Sequence, residues 1–221
     1  MHFEILVEDQ SGKKSLDILV RKITGENHTF KVHPYKGIGR IPKNLKANSD
    51  ANRRILLDQL PRLLHGYGNA FASYPENCPA AVILVCDLDD KCLKTFREEL
   101  HAILNSCNPK PLARFCLAIE EGEAWLLGDI PAIKAAYPKV KDAVLNRYMS
   151  DSICGTWEHL ADAIYNGGAA ALSSKGWHAI GTEKSAWAER ICPHMDVFNN
   201  ASPSFVYFRD KLIELAEAHA L

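Results

Sequence analysis

Apolar residues along the chain follow two kinds of pattern. The first is a short unbroken run, seen at residues 2–8 (HFEILVE), 80–86 (AAVILVC) and 112–119 (LARFCLAI). Each is strand-length, and 80–86 is continuous rather than alternating, as a strand covered on both faces requires. Residues 28–35 alternate weakly through Phe30 and Val32 and stop at Pro34, which predicts a fourth strand. The second pattern is helical spacing. Leu16, Leu19, Val20 and Ile23 predict a helix over 12–24, with Ser11 as its cap. Ile55, Leu56, Leu60, Leu63 and Leu64 predict one over 49–65. Leu93, Phe96, Leu100, Ile103 and Leu104 predict one over 91–105, which Asp90 is placed to cap. Residues 121–128 (EGEAWLLG) also read as helical, and the glycine- and proline-punctuated stretch 36–48 reads as a loop.

Strands that alternate with helices imply a parallel sheet. The expected fold class is therefore α/β, a Rossmann-like, mainly parallel sheet flanked by helices. No strong strand pattern follows residue 119. Asp129 is placed to cap a helix with Pro131 in its first turn, and further helices are expected near 139–147, 157–165, 183–195 and 204–220. This divides the chain into an α/β part, 1–128, and a helical C-terminal extension, 129–221, packed on it.

Composition narrows the class without choosing a function. The 221 residues are 47% hydrophobic and 24% charged, with 26 basic and 27 acidic side chains and a net charge of −1. Binding through bulk charge is thereby excluded, but a local patch is not. There is no apolar run long enough to span a membrane and no basic segment leading into an apolar one, so neither a membrane association nor a secretory signal is expected. The seven cysteines are scattered without a CxxC pair, which suits a reducing cytoplasm, and the nine histidines form no zinc spacing. Cys86 and Cys116 lie in apolar runs and read as small buried side chains.

Position matters more than the sum. Glu8 follows the first apolar run, Asp87 and Asp89 follow the third strand, and Glu120 and Glu123 follow the fourth. Ligands bind beyond the carboxyl ends of strands in an open parallel sheet, so these acids should converge. Clustered carboxylates repel unless a counter-charge joins them, and an all-oxygen set favours Mg²⁺ or Mn²⁺. One ion would sit near Glu8, Asp87 and Asp89, and a second towards Glu120 and Glu123. The competing account is capping: Asp90 and Glu121 could simply serve helix N-termini.

A basic strip lies elsewhere. Lys36, Arg40, Lys43, Lys46, Arg53 and Arg54 face only Asp50 over residues 36–54, a local charge of +5. The first four are candidate nucleic-acid phosphate contacts, with Gly37 and Gly39 permitting close backbone approach, against the alternative of a solvated face. Lys184, expected near a helix start, is a candidate catalytic cation. Trp125 reads as packing; Trp157, Trp177 and Trp187 could stack on bases but are more often core. His178 and His194 are acid–base candidates that nothing in the sequence ties to the acids.

At ILVED (5–9) and LVCDLDD (84–90) the chain resembles a Toprim domain. That resemblance implies that Glu8, Asp87 and Asp89 bind Mg²⁺ for phosphodiester chemistry and act as catalytic residues. Many members carry a third acid where this chain has Lys91, so that ligand is absent here. YKGIGRIP (35–42), AIEEGEAWLLGD (118–129), TEKSAWAERI (182–191) and SPSFVYF (202–208) extend the resemblance to a bacterial Toprim-like family of unknown function, often encoded beside an ABC-type ATPase. It is related to the overcoming-lysogenization-defect nucleases that act in phage defence. The resemblance implies a metal-dependent nuclease, with Glu123 and Glu120 serving a second metal. Two alternatives stay open: a non-catalytic Toprim-like module of an ATPase complex, and a phosphohydrolase of small phosphate esters.

Overall fold

The computed structural model describes residues 1–42, 53–152 and 155–218. Four strands, β1 (His2–Val7), β2 (Thr29–Pro34), β3 (Ala80–Asp87) and β4 (Ala113–Ala118), form one sheet in the order β2-β1-β3-β4. Every adjacent pair is parallel. The fold is α/β, as expected. The register pairs Val7 with both Pro34 and Val85, and Asp87 with Ala118, so the four carboxyl ends share one edge.

Successive strand residues point to opposite faces, and both faces are apolar. Phe3, Ile5, Val7, Ile83 and Val85 belong to one buried cluster; Leu6, Val82, Leu84 and Cys86 belong to another. Helix α1 (Gln10–Thr24) packs with the first cluster, α2 (Leu56–Phe71) and α3 (Leu93–Asn105) with the second. Right-handed crossovers require this split. The chain moves one way along the sheet from β1 to β2 and the other way from β2 to β3 and on to β4. Between β1 and β3 the direction reverses, and such a switch point opens a crevice at the strand ends.

The rest of the chain is helical among the described residues: α4 (Glu123–Leu127), α5 (Ile130–Ala136), α6 (Asp142–Leu145), α7 (Thr156–Ile164), α8 (Gly168–Ser173), α9 (Trp177–Ile191), a 3-10 turn (Cys192–His194) and α10 (Pro203–Glu217). Helices α9 and α10 pack on α1, and α10 also lies against β4. The first cluster runs without interruption from Phe3 to Ala216, so the extension shares a core with the sheet. Trp125 is buried within it, stacked on Phe208 at 4.9 Å between ring centroids, with Nε1–H donating to Ser204 Oγ at 3.0 Å. Trp157 and Trp187 are buried too, while Trp177 is 83% exposed. His178 and His194 are exposed, and Cys86 and Cys116 are buried free thiols. No helix among the described residues is long and apolar enough to cross a membrane.

Several boundaries differ from the sequence expectation, among them the start of α1, which begins at Gln10 with Asp9 rather than Ser11 as its N-cap. Helix α2 starts at Leu56 and runs through Gly66 and Gly68 to Phe71. Glycines normally argue for a helix end, but here tertiary contact overrides propensity: a Cβ on Gly68 would stand 2.0 Å from the Pro109 carbonyl oxygen. Helix α9 begins at Trp177, which places Lys184 in mid-helix rather than near its start. Asp90 is not the cap of α3, whose N-cap position is Cys92.

The two glycines of α2 should respond oppositely to alanine. Nothing lies within 4 Å of a Cβ on Gly66, so Gly66→Ala should stabilise the protein by up to about 1 kcal/mol. Gly68→Ala should destabilise it by about 2 kcal/mol through overpacking against backbone. Urea unfolding of both variants reads the difference, and the same sign for both would contradict the packing of α2 on the 108–111 segment.

Candidate functional site

Glu8 follows β1 directly, and its carbonyl oxygen accepts the Gly37 N–H at 2.9 Å. The next residue, Asp9, caps α1: Oδ1 accepts the Gly12 N–H and Oδ2 the Ser11 hydroxyl, both at 2.7 Å. Asp87 is the last residue of β3. Beyond it, Leu88 N–H donates to Ala118 O at 2.9 Å and Asp89 N–H to Glu120 O at 3.0 Å, stitching the turn after β3 to the turn after β4. These bonds hold Glu8, Asp87 and Glu123 around one cavity of about 50 Å³, walled by Leu16 and Trp125 and reached by Lys184 from α9. Sequence reasoning foresaw the convergence of Glu8 and Asp87.

The carboxylates here are poorly solvated. Glu8 Oε2 is buried without a hydrogen-bond partner. Burial, then the charges of Asp9 and Asp89, raise the Glu8 pKa to about 7, against the pull of the Asp87 backbone N–H and Lys184. Asp87 is pushed well above the usual carboxylate range, first by burial and then by Glu8, with Lys184 opposing. Burial and Glu121 also raise Glu123, against Lys184.

Lys184 is the counter-charge. Its Nζ lies 2.9 Å from Glu123 Oε2 and 3.3 Å from Glu121 Oε1, and its side chain is 15% exposed. Burial alone would lower its pKa, but Glu123, Glu121 and Asp87 outweigh that and hold the ammonium charged.

The other expected ligands are engaged elsewhere. Glu120 accepts the Gly155 N–H at 2.7 Å, the Thr156 N–H at 2.9 Å and the Thr156 hydroxyl at 2.7 Å. It thus serves the N-terminus of α7, whose own N-cap, Gly155, has no side chain to do so. Glu121 adds to the same end through Trp157 N–H at 3.3 Å, matching the capping account. Asp129 is a buried cap as expected, accepting the Ala132 N–H at 3.0 Å. Asp89 is exposed, with φ of 51°, and pairs with Lys91 at 2.6 Å. Of the basic strip, Lys36 and Arg40 are exposed on the loop after β2, while Lys43 and Lys46 lie outside the described residues. Glu121 as a partner of Lys184 was missed; its only sequence signal was its place in the acidic run EEGE (120–123).

No group of three or more His, Cys, Asp or Glu among the described residues is arranged to hold a metal ion. The pair Glu8 and Asp87 does fit a cation: two oxygen-donor carboxylates, one with an orphaned buried oxygen, match the one or two carboxylates by which Mg²⁺ is held while keeping most of its waters. Glu120 and Glu123 do not offer a second such pair, because one caps α7 and the other pairs with Lys184.

The fold and site thus define an open α/β protein with a buried acidic pocket at its switch point. No family model, curated protein or solved structure matches the chain.

Folded protein retains the Glu8 proton to about pH 7, whereas the unfolded chain releases it near 4.5. The unfolded state therefore binds fewer protons between these values, and this contribution to stability is lost as pH rises through them. Glu8→Gln removes that loss. Wild type and E8Q should match in pH dependence below about 4.5, and wild type should fall behind by up to about 3 kcal/mol by pH 8. Parallel profiles in urea titrations would mean that Glu8 is solvated.

Proposed function

We propose that the chain is a divalent-metal-dependent nuclease of Toprim type, hydrolysing phosphodiester bonds. The observation that carries this reading is the convergence of Glu8 and Asp87 at the switch point, both held above the usual carboxylate range and one with an orphaned oxygen. Such a pair is stable as anions only with a cation bound. Mg²⁺ or Mn²⁺, when bound, supplies Lewis-acid polarisation of a phosphoryl oxygen and activation of water. Glu8 and Asp87 would hold the ion. Lys184, fixed in orientation by Glu121 and Glu123, presents a permanent positive charge to the oxygen on which negative charge develops. Lys36 and Arg40, on the loop bonded to the Glu8 carbonyl, are placed to hold backbone phosphates.

The family resemblance extends the reading to a bacterial cytoplasmic protein that works with an ABC-type ATPase in phage defence. Free thiols at all six described cysteines suit a reducing compartment. A second reading, a non-catalytic module in such a complex, is favoured by the pairing of Asp89 with Lys91, which leaves no three-residue ligand set assembled among the described residues.

The test is cleavage of labelled DNA and RNA oligonucleotides with Mg²⁺ or Mn²⁺, beside calorimetric titration of Mn²⁺. Asp87→Asn should abolish Mn²⁺ binding and lower cleavage at least about a hundredfold, the scale of losing an electrostatic group in a catalytic site. Full activity in D87N would overturn the nuclease reading. Mn²⁺ binding without turnover would favour the non-catalytic module.

A further inference from the structure

The sequence predicts a second metal ion towards Glu120 and Glu123, but the structure puts a side-chain ammonium beside Glu123 instead. Lys184 Nζ lies 2.9 Å from Glu123 Oε2 and 3.3 Å from Glu121 Oε1. Both acids are drawn inward, with side chains 6% and 19% exposed. Apart from the ammonium, Glu123 Oε2 is buried with no hydrogen-bond partner among the described residues. Two carboxylate oxygens that converge on one point make a seat for a cation, and Lys184 fills it.

The surroundings hold the ammonium in that seat. Glu121 gives Oε2 to α7, accepting the Trp157 N–H at 3.3 Å and the Thr156 hydroxyl at 3.2 Å, which leaves Oε1 for Lys184. Glu123 stands in the first turn of α4, whose other residues are all buried. Lys184 lies on the buried stripe of α9, between Ile180 one turn before it and Trp187 one turn after, 6% and 1% exposed. The cavity it shares with Glu8 and Asp87 is about 50 Å³. A single water needs about 10–15 Å³ on this scale. There is room for one ion with part of its water shell, and not for two ions about 4 Å apart, each with its own.

We infer that Lys184 is a built-in replacement for a second metal ion: the site takes one divalent cation, at Glu8 and Asp87, and the ammonium supplies the other positive charge between Glu121 and Glu123. The inference rests on the metal reading of Glu8 and Asp87 for its first ion only; the seat itself is defined by Lys184. A tethered ammonium cannot dissociate, so this half of the site keeps its charge when metal is scarce. It also has a narrower chemistry. An ammonium donates hydrogen bonds to a phosphoryl oxygen, but unlike a metal ion it does not ionise a bound water. Activation of water is therefore left to the Glu8 and Asp87 side of the pocket, and Lys184 is left to neutralise charge.

The test counts bound Mn²⁺ by isothermal titration calorimetry in wild type, in Lys184→Met and in the double variant K184M/E123Q. Methionine keeps a long unbranched side chain and removes the charge. Wild type should bind one ion and K184M two. The double variant should bind one again, because its seat has lost a carboxylate. In EDTA, K184M should melt below wild type. Saturating Mn²⁺ should raise its midpoint by at least about 5 °C more than it raises that of wild type, as an added site filled far above its dissociation constant requires. Two ions in wild type would overturn the inference. So would no extra ion in K184M, an extra ion that survives E123Q, or a K184M that saturating Mn²⁺ leaves unfolded. No ion in wild type and one in K184M would support the seat and remove the metal reading of Glu8 and Asp87.

Discussion

One buried ammonium organises this molecule. Glu8, Asp87, Glu121 and Glu123 come from three different strand ends, and taking anions out of water costs several kcal/mol each unless something answers their charge. Lys184 answers it, paired directly with Glu121 and Glu123 and felt by Asp87 and Glu8. It is carried by α9, which packs on α1, the helix leading away from Glu8. The helical extension is therefore more than a cover for the first core: it delivers the cation without which the sheet edge could not collect its acids.

One positive charge does not balance four carboxylates. The remainder is absorbed in two ways. Glu121 and its neighbour Glu120 turn towards the N-terminus of α7, where backbone N–H groups and the helix dipole favour anions. For Glu8 and Asp87 burial outweighs the help of nearby groups, and both shift towards retaining a proton. In the proposed metal-binding role, a divalent cation would have to displace that proton from the same pocket.

The parts of this arrangement written in local pattern were legible in the sequence. The runs at 2–8, 80–86 and 112–119 give β1, β3 and β4, and the strand-end rule then brings Glu8 and Asp87 together. What depended on distant contacts was not legible. Glu120 looked like a metal ligand because nothing in its neighbourhood announces Gly155 and Thr156, 35 and 36 residues on. Lys184 was a candidate on other grounds, but its partner Glu121 lies 63 residues away. Helix α2 ran past its predicted end because Gly68 serves a backbone contact with Pro109 that no propensity encodes.

The two accounts of the site, catalytic and non-catalytic, turn on Asp89, and magnitudes separate it from Glu120. Glu120 accepts three hydrogen bonds at a helix terminus, and each bond to a charged group is worth about 1.5–3 kcal/mol. Drawing it away would also strip the cap from α7. Among the described residues the Asp89 carboxylate pairs with Lys91 alone, and the two side chains are 45% and 30% exposed. Such a surface pair contributes about 0–1 kcal/mol. Asp89 already adds to the field that raises Glu8, so it stands near enough to be felt. Asp89 is therefore the acid at this edge that costs least to redirect, whereas Glu120 stays committed to α7.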